Sequence, residues 1–425
     1  MKNQYLLNLL FLFLFLFLNF PVFSQGISGN LVIVGGGLEA DNKAVFNELI
    51  NLSGGKDKAV IAVVPSASGL AVQSFESFKN ILKSYGVPEK NIHLIRIASV
   101  DDDSTLNEDE SSWKNNGNSS LYADIILKSS CVWFTGGDQL RTVRTLYNPD
   151  GTPTLVLSAI WEVYKNGGVI GGTSAGAAIM SDPIIADGNS IGALTHGVKK
   201  LNGNDDFSES DGVLITRGIG FFPHGIVDQH FHARARIARL VMAVFSGEHP
   251  SKIGYGVDEN TAMIYNAGNK TVKAAGVGGI TIVDITDARL KYAGNFPVID
   301  SVTVHFLQQD DIYEITSGTI IPSAERKQIN GTEYYNDASE YQSGVLSGAS
   351  ENIVSLLTIK LVDNKNAAVA KSISFINNTI AYETRLQKTT KTRAYISDNN
   401  GEDRYTVSHV LLSLTPVKVK IETIK

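Results

Sequence analysis

Ser174 stands in the run Gly172-Thr173-Ser174-Ala175-Gly176, which follows the apolar pair Val169-Ile170 after one further glycine and precedes Ala177-Ala178-Ile179-Met180. A serine set between glycines where a strand passes into a helix is a nucleophile elbow. The tight turn strains the backbone and leaves no room for neighbouring side chains, so small residues must flank the nucleophile. Its hydroxyl would stand clear of the sheet, with the Ala175 amide and the N-terminus of the following helix beside any developing oxyanion. Glycine-rich turns of this kind also hold serine as a plain N-cap. The G-x-S-x-G spacing at a strand end favours the nucleophile.

A serine hydroxyl needs a base, and the base needs an orienting acid. Of the eight histidines, His230 has the best surroundings, in Asp228-Gln229-His230-Phe231 after the apolar Gly225-Ile226-Val227. His224 and His232 are close enough in sequence to suggest a metal cluster, but the spacing fits no familiar zinc pattern and one more ligand is missing. No metal and no organic cofactor is expected. The pattern predicts a long helix after His230 carrying Arg234, Arg236 and Arg239. At about 100° per residue, Arg236 and Arg239 share a face and Arg234 lies over the His230 side. Arginines so close to a base suit bidentate capture of a carboxylate on the substrate; a solvated basic face is the plainer alternative. For the acid, the stretch from Gly254 to Ala262 reads as a strand end with paired carboxylates. Glu259 is preferred for orienting His230, Asp187 is the rival, and one or both of Asp258 and Glu259 could instead cap a turn.

These groups need a scaffold. Five apolar runs precede or include the elbow: 31–34, 59–64, 92–97, 131–134 and 169–170. Continuous apolar runs suit parallel strands covered on both faces. Helix-like segments at 44–51, 75–85 and 154–166 alternate with them, which predicts a doubly wound α/β sheet with ligands at the carboxyl ends of its strands. Those ends carry Gly35-Gly36-Gly37, Pro65-Ser66-Ala67 and Gly136-Gly137-Asp138, then the elbow; an amide of Gly136 or Gly137 would complete an oxyanion hole with Ala175. The glycine triplet with Ala40 also matches a dinucleotide fingerprint. The second strand ends in Pro65-Ser66 without an acid for a ribose, so a nucleotide is rejected.

At 425 residues the chain exceeds one ordinary core, and 43% hydrophobic with 19% charged residues fits a globular protein. A net charge of −6 argues against a nucleic-acid partner. Lys2, the Leu/Phe stretch from Leu6 to Phe20 and Val22-Phe23-Ser24 before Gln25 read as a cleaved export signal, residues 1–24, leaving a periplasmic or secreted protein without a membrane span. Cys131 is the one cysteine; it reads as a buried core thiol. The acidic loop from Asp101 to Glu110 and the polar stretch from Lys114 to Ser120 read as solvated surface. From Gly276 the pattern turns to short alternating strands. After Pro322 it becomes Ser/Asn-rich, with β-like runs at 353–362, 372–376 and 407–414. Residues 323–425 are therefore a β-rich extension, either a small domain of its own or extra strands on the core.

The stretches 31–37, Phe134-Thr135-Gly136-Gly137-Asp138-Gln139, 171–177, 228–239 and 256–262 together resemble the serine peptidase family that holds cyanophycinases and aspartyl dipeptidases. Asp-Gln-His-Phe with arginines at 234, 236 and 239 is the motif most specific to the cyanophycinase branch. The resemblance spans roughly residues 28 to 320, and residues 25–322 are taken as the peptidase domain. It implies a flavodoxin-like α/β fold related to class I glutamine amidotransferases. It also implies Ser174 as nucleophile, His230 as base and Glu259 as third member, with Gln139, Gln229 and the three arginines around an aspartyl substrate. The family substrate is cyanophycin, poly-aspartate with arginine on each β-carboxyl, released as β-aspartyl-arginine dipeptides. This chain departs from the family in the polar insert from Lys199 to Gly212, the export signal and the extension. The sequence thus predicts a secreted serine exopeptidase for β-aspartyl linkages, compatible with a homodimer. The alternatives are an α-aspartyl dipeptidase, an α/β-hydrolase esterase, and a non-catalytic binding protein of the same fold.

Overall fold

The computed structural model describes residues 27–201, 212–337, 341–347, 352–399 and 401–420. The predicted export signal lies outside them, as does most of the polar insert. Five parallel strands are present: β1 (Asn30–Val34), β2 (Ile61–Val64), β3 (Ile92–Leu94), β4 (Cys131–Phe134) and β5 (Val169–Thr173). They lie in the order β3-β2-β4-β5-β1. That is the flavodoxin-like order 2-1-3-4-5 with the fifth place taken by the N-terminal strand. Strand β1 alternates in the expected way: Leu31 and Ile33 pack into one core cluster, Val32 and Val34 into another on the opposite face. Helices α1 (Lys43–Leu52) and α2 (Ala71–Ser84) cover the second face, where Phe78 stacks on Trp133 with ring centroids 4.6 Å apart. Further helices follow at α3 (Ser120–Leu127), α4 (Gln139–Leu146), α5 (Leu155–Lys165) and α6 (Ala175–Ala178). Cys131 is fully buried, and burial pushes its thiol up to about 12, in line with a core role.

Beyond the elbow come a small sheet of β6 (Ile184–Asp187), β7 (Val198–Lys200) and β8 (Val213–Thr216), and helix α7 (Ser190–His196). Strands β9 (Ile226–Asp228) and β10 (Ile253–Val257) flank α8 (Ile237–Phe245) and begin a second large sheet. Strands β11 (Thr261–Asn266) and β12 (Thr271–Gly276) return to the first sheet, where β11 runs antiparallel to β1. The chain then alternates between sheets. Strands β13 (Gly279–Asp284), β14 (Arg289–Ala293) and β15 (Phe296–Gln308) join the second sheet; β16 (Ile312–Glu314) and β17 (Thr319–Ile321) edge the first.

The extension supplies β18 (Lys327–Gln328), β19 (Gln342–Ser343), β20 (Val369–Phe375), β21 (Ile380–Gln387), β22 (Arg393–Asn399) and β23 (Glu402–Lys418). Of the two arrangements left open by the sequence, it takes the second: β23 pairs antiparallel with β15, so these strands continue the core sheet. Their apolar residues Tyr382, Leu386, Val407 and Leu412 share one buried cluster with Ile237, Leu240 and Val244 of α8.

Three expectations change. The run 353–362 is not a strand but helix α9 (Ile353–Leu357) followed by a π-helical turn over Thr358–Val362; Leu356, Leu357 and Leu361 are buried at helical, not alternate, spacing. The long helix after His230 begins only at Ile237, because His230 and Ala235 take left-handed backbone angles (φ 46° and 50°) that interrupt it. The acidic loop is not all solvated surface. Asp102 and Glu110 are fully buried, and Asp102 Oδ2 accepts from the Val72 and Gln73 amides at the start of α2. Burial alone would raise both carboxyls, but hydrogen bonds from Ser104 and backbone amides to Asp102, and from Thr105 and backbone amides to Glu110, hold them below their ordinary values.

Candidate active site

Ser174 caps α6 with φ 54° and ψ −110°, a conformation that side chains rarely adopt. Its amide donates to the Val34 carbonyl at 3.0 Å, and its carbonyl accepts from Ala177 and Ala178, each at 2.9 Å. The flanking glycines are sterically compelled. A Cβ on Gly172 would lie 2.6 Å from the Gly176 carbonyl oxygen, and one on Gly176 would lie 2.5 Å from that of Phe134. The sharp bend lifts the hydroxyl off the carboxyl edge of the parallel sheet.

The other two groups come from the second sheet. His230 follows β9, and Glu259 lies in the three-residue corner Asp258-Glu259-Asn260 through which the chain passes from β10 in the second sheet to β11 in the first. Ser174 Oγ lies 2.8 Å from His230 Nε2, and His230 Nδ1 lies 2.5 Å from Glu259 Oε1. A carboxylate only accepts, so Nδ1 carries the proton and Nε2 is left to accept from the serine. Burial lowers the His230 pKa below the ordinary 6.5, the Glu259 hydrogen bond opposes this, and Arg234 and Arg236 add to the lowering. The imidazole is thus neutral at neutral pH, as a base must be.

The Gly35-Gly36-Gly37 loop braces this assembly. The Gly35 carbonyl accepts from the His230 amide at 2.6 Å and the Gly36 carbonyl from the Asn260 amide at 2.8 Å. A Cβ on Gly36 would fall 2.2 Å from His230 Cε1, and Gly37 lies against the Glu259 side chain. The triplet that mimics a nucleotide fingerprint is the seat of the imidazole. Asn260, with φ 52°, is tied to Asn42 and Glu39 through its side chain.

The remaining sequence-predicted residues divide sharply. Asp258 is buried and caps: its carboxylate accepts from the amides of His232 and Gly279. Its Oδ1 also lies 2.7 Å from His232 Nδ1; burial lowers that imidazole, but the Asp258 carboxylate holds it above its ordinary value. Asp187 accepts from the adjacent Gly188 amide at 2.7 Å, while the His230 contact belongs to Glu259. His224 faces Tyr265, not His230. Gly136 lies against Ser174, whereas Gly137 is turned onto the Ala67 carbonyl. Among the described residues no protein oxygen accepts from the amides of Ala175, Gly136 or Gly137.

Arg239 is 2% exposed and grips Asp228 with Nε and Nη2 at 2.8 and 2.5 Å, while Nη1 donates to the Gly188 carbonyl. Arg236 donates to the Gln229 carbonyl and lies 3.5 Å from Asp228. Burial would raise the Asp228 carboxyl, but Arg239 and then Arg236 hold it below its ordinary value. These two arginines are spent inside the protein, fixing the segment that bears His230. Gln139 is likewise engaged, donating to the Ile185 and Ala186 carbonyls. Gln229 keeps a buried Oε1 without a partner. Arg234 alone of the three arginines is exposed.

A cavity of about 380 Å³ opens beside Ser174 and His230, floored by Phe46, Phe78 and Trp133 and edged by Gln73 and Ser77. Among the described residues no carboxylate lines it, and the buried Thr135 hydroxyl in its wall has no partner.

A model of peptidase family S51 matches residues 31–273, more than half of the chain. The chain belongs to peptidase family S51. It is a serine-type peptidase. Among curated relatives, the cyanophycinase of Synechococcus elongatus is 30% identical over 299 residues, covering 68% of this chain and 80% of that one. That of Geminocystis herdmanii is 29% identical over 286 residues, covering 67% and 91%. A crystal structure of a peptidase from an acI-B1 Actinobacterium aligns with a TM-score of 0.44 at 18% identity, over 71% of this chain and 99% of that one.

Reasoning from the S51 sequence missed Asp228 as the buried anion that holds Arg239, and the glycine triplet as the seat of the base. The first had a signal, an acid followed by arginines eight and eleven residues on. The second became legible only once the two sheets were seen to meet.

Proposed function

We propose that this S51 peptidase is an exported exopeptidase cleaving β-aspartyl linkages, with cyanophycin as substrate and β-aspartyl-arginine dipeptides as product. The observation that carries the reading is the Ser174–His230–Glu259 chain of hydrogen bonds at 2.8 and 2.5 Å; the relatives named cyanophycinase supply the substrate class. Ser174 Oγ attacks the scissile carbonyl as its proton passes to His230 Nε2, and Glu259 steadies the resulting imidazolium. The amides of Ala175 and the Gly136-Gly137 loop receive the oxyanion. His230 then hands the proton to the departing amine, leaving an acyl-enzyme. Water, deprotonated by the same imidazole, releases the acid and restores the serine. Arg234 meets the substrate carboxylates. Export rests on the N-terminal pattern, and the mass of the mature chain from secreting cells tests it.

The aromatic floor and the lack of a lining carboxylate favour a second reading, an Asp-X dipeptidase whose cavity takes an uncharged side chain. Digestion of purified cyanophycin and of Asp-Leu by wild type and Ser174→Ala, with products identified by mass, decides between them. The primary reading expects β-Asp-Arg from wild type and none from the variant. Turnover of Asp-Leu alone replaces it with the second. Equal cyanophycin breakdown by Ser174→Ala removes the mechanism.

A further inference from the structure

Arg234 is exposed in the turn after His230, its amide donating to the His230 carbonyl at 3.0 Å, and among the described residues it forms no ion pair with a carboxylate. Its side chain lines a pocket of about 440 Å³, together with Ile191 and His196 on α7 and Leu346, Ser347 and Ile376 from the extension. Among the described residues the walls carry no acid; they combine one guanidinium and one imidazole with the polar side chains of Asn189 and Thr195 and with aliphatic ones. The family match ends at residue 273, so three of these residues lie beyond it.

The pocket is joined to the catalytic centre by short, buried links. Ser190 at the start of α7 donates to the Ala235 carbonyl at 2.5 Å and accepts from the amides of Ala238 and Arg239. The turn that bears Arg234 is therefore fastened to α7. The extension fastens α7 in turn: Tyr382 is buried against the same cluster as Leu194, and its hydroxyl lies 3.5 Å from the Leu194 carbonyl. Arg234 is also close enough to the base for its charge to be felt there.

We infer that the extension forms the outer wall of a second substrate subsite, in which Arg234 holds a carboxylate of an acidic peptide beyond the scissile residue while Leu346 and Ile376 pack against its carbon chain. A pocket that offers a guanidinium four residues after the base and, among the described residues, no acid suits a carboxylate better than a neutral or cationic group. The inference rests on the aspartyl reading for its catalytic test but not for its binding test.

Ser347 is exposed at the rim and tolerates a charge without disturbing the core. At a few ångströms in a wet site, one added charge changes affinity about fivefold. Wild type, Ser347→Asp and Ser347→Lys are compared on a β-aspartyl dipeptide and on the same unit extended by four aspartates. The ratio of kcat/KM, long over short, should fall about fivefold for the aspartate variant and rise for the lysine variant. Binding of an aspartate hexamer to the same changes in a Ser174→Ala background, followed by calorimetry, should move the same way. Equal ratios and equal affinities in all three proteins overturn the inference, even if the dipeptide is cleaved normally. If wild type cleaves neither peptide, the aspartyl reading has failed; the hexamer affinities still decide the subsite, and equal values overturn it.

Discussion

Arg234 and Arg239 are five residues apart, of one chemical type, and do opposite things. Arg239 is sealed against Asp228, where its charge is consumed by a bidentate pair; Arg234 faces solvent beside the base. The contrast repeats across the molecule. Asp228 and Asp258, at the ends of the second-sheet strands β9 and β10, are buried and satisfied by the fold. The polar groups at the carboxyl edge of the parallel sheet, Ser174 and its neighbouring amides, are left for a ligand. Residue type therefore says little about role; what matters is whether partners inside the protein have already used the group.

Glu259→Gln breaks the catalytic side of this contrast most deeply. An amide at the end of the Nδ1 contact favours the wrong tautomer, so kcat should fall by about 10³- to 10⁴-fold with unfolding unchanged. Steady-state kinetics beside a urea melt reads both. Arg239→Ala should do the reverse, leaving the buried Asp228 carboxylate with only Arg236, 3.5 Å away, as its ionic partner and costing about 3 kcal/mol of stability in urea unfolding. A variant as stable as wild type would place Arg239 with the ligand-facing groups. Arg234→Ala should raise KM for acidic substrates about tenfold, one charge-assisted contact, at unchanged stability. The smallest effect is on pH. His230 works only when neutral, and its pKa is lowered, so kcat/KM should rise with pH through a midpoint below 6.5. Removing the Arg234 charge makes protonation easier, so the Arg234→Ala midpoint should move upward. A midpoint that moves downward contradicts the placement of that charge.

Much of this was legible from the residues. The parallel strands are continuous apolar runs, and the elbow carries its own steric signature, so β1 to β5 and Ser174 followed from local pattern. His230 and Glu259 followed from their surroundings and from family resemblance. Periodicity already set Arg234 apart from Arg236 and Arg239; the arginines misled because nothing local shows that Asp228, at the end of β9, takes up the latter two. Nothing local distinguishes a buried acid that caps α2 from a surface one, so Asp102 and Glu110 were misread. The glycine triplet needed the second sheet to explain it, since its neighbour in space is a histidine 194 residues further on, from Gly36 to His230.

The nucleophile belongs to one sheet and the base to the other, with the acid in the short corner between them. Hydrolytic power from this triad therefore cannot arise in either half alone: a chain in which only one sheet has formed is chemically silent. Only when the two sheets close against each other does the enzyme come into being.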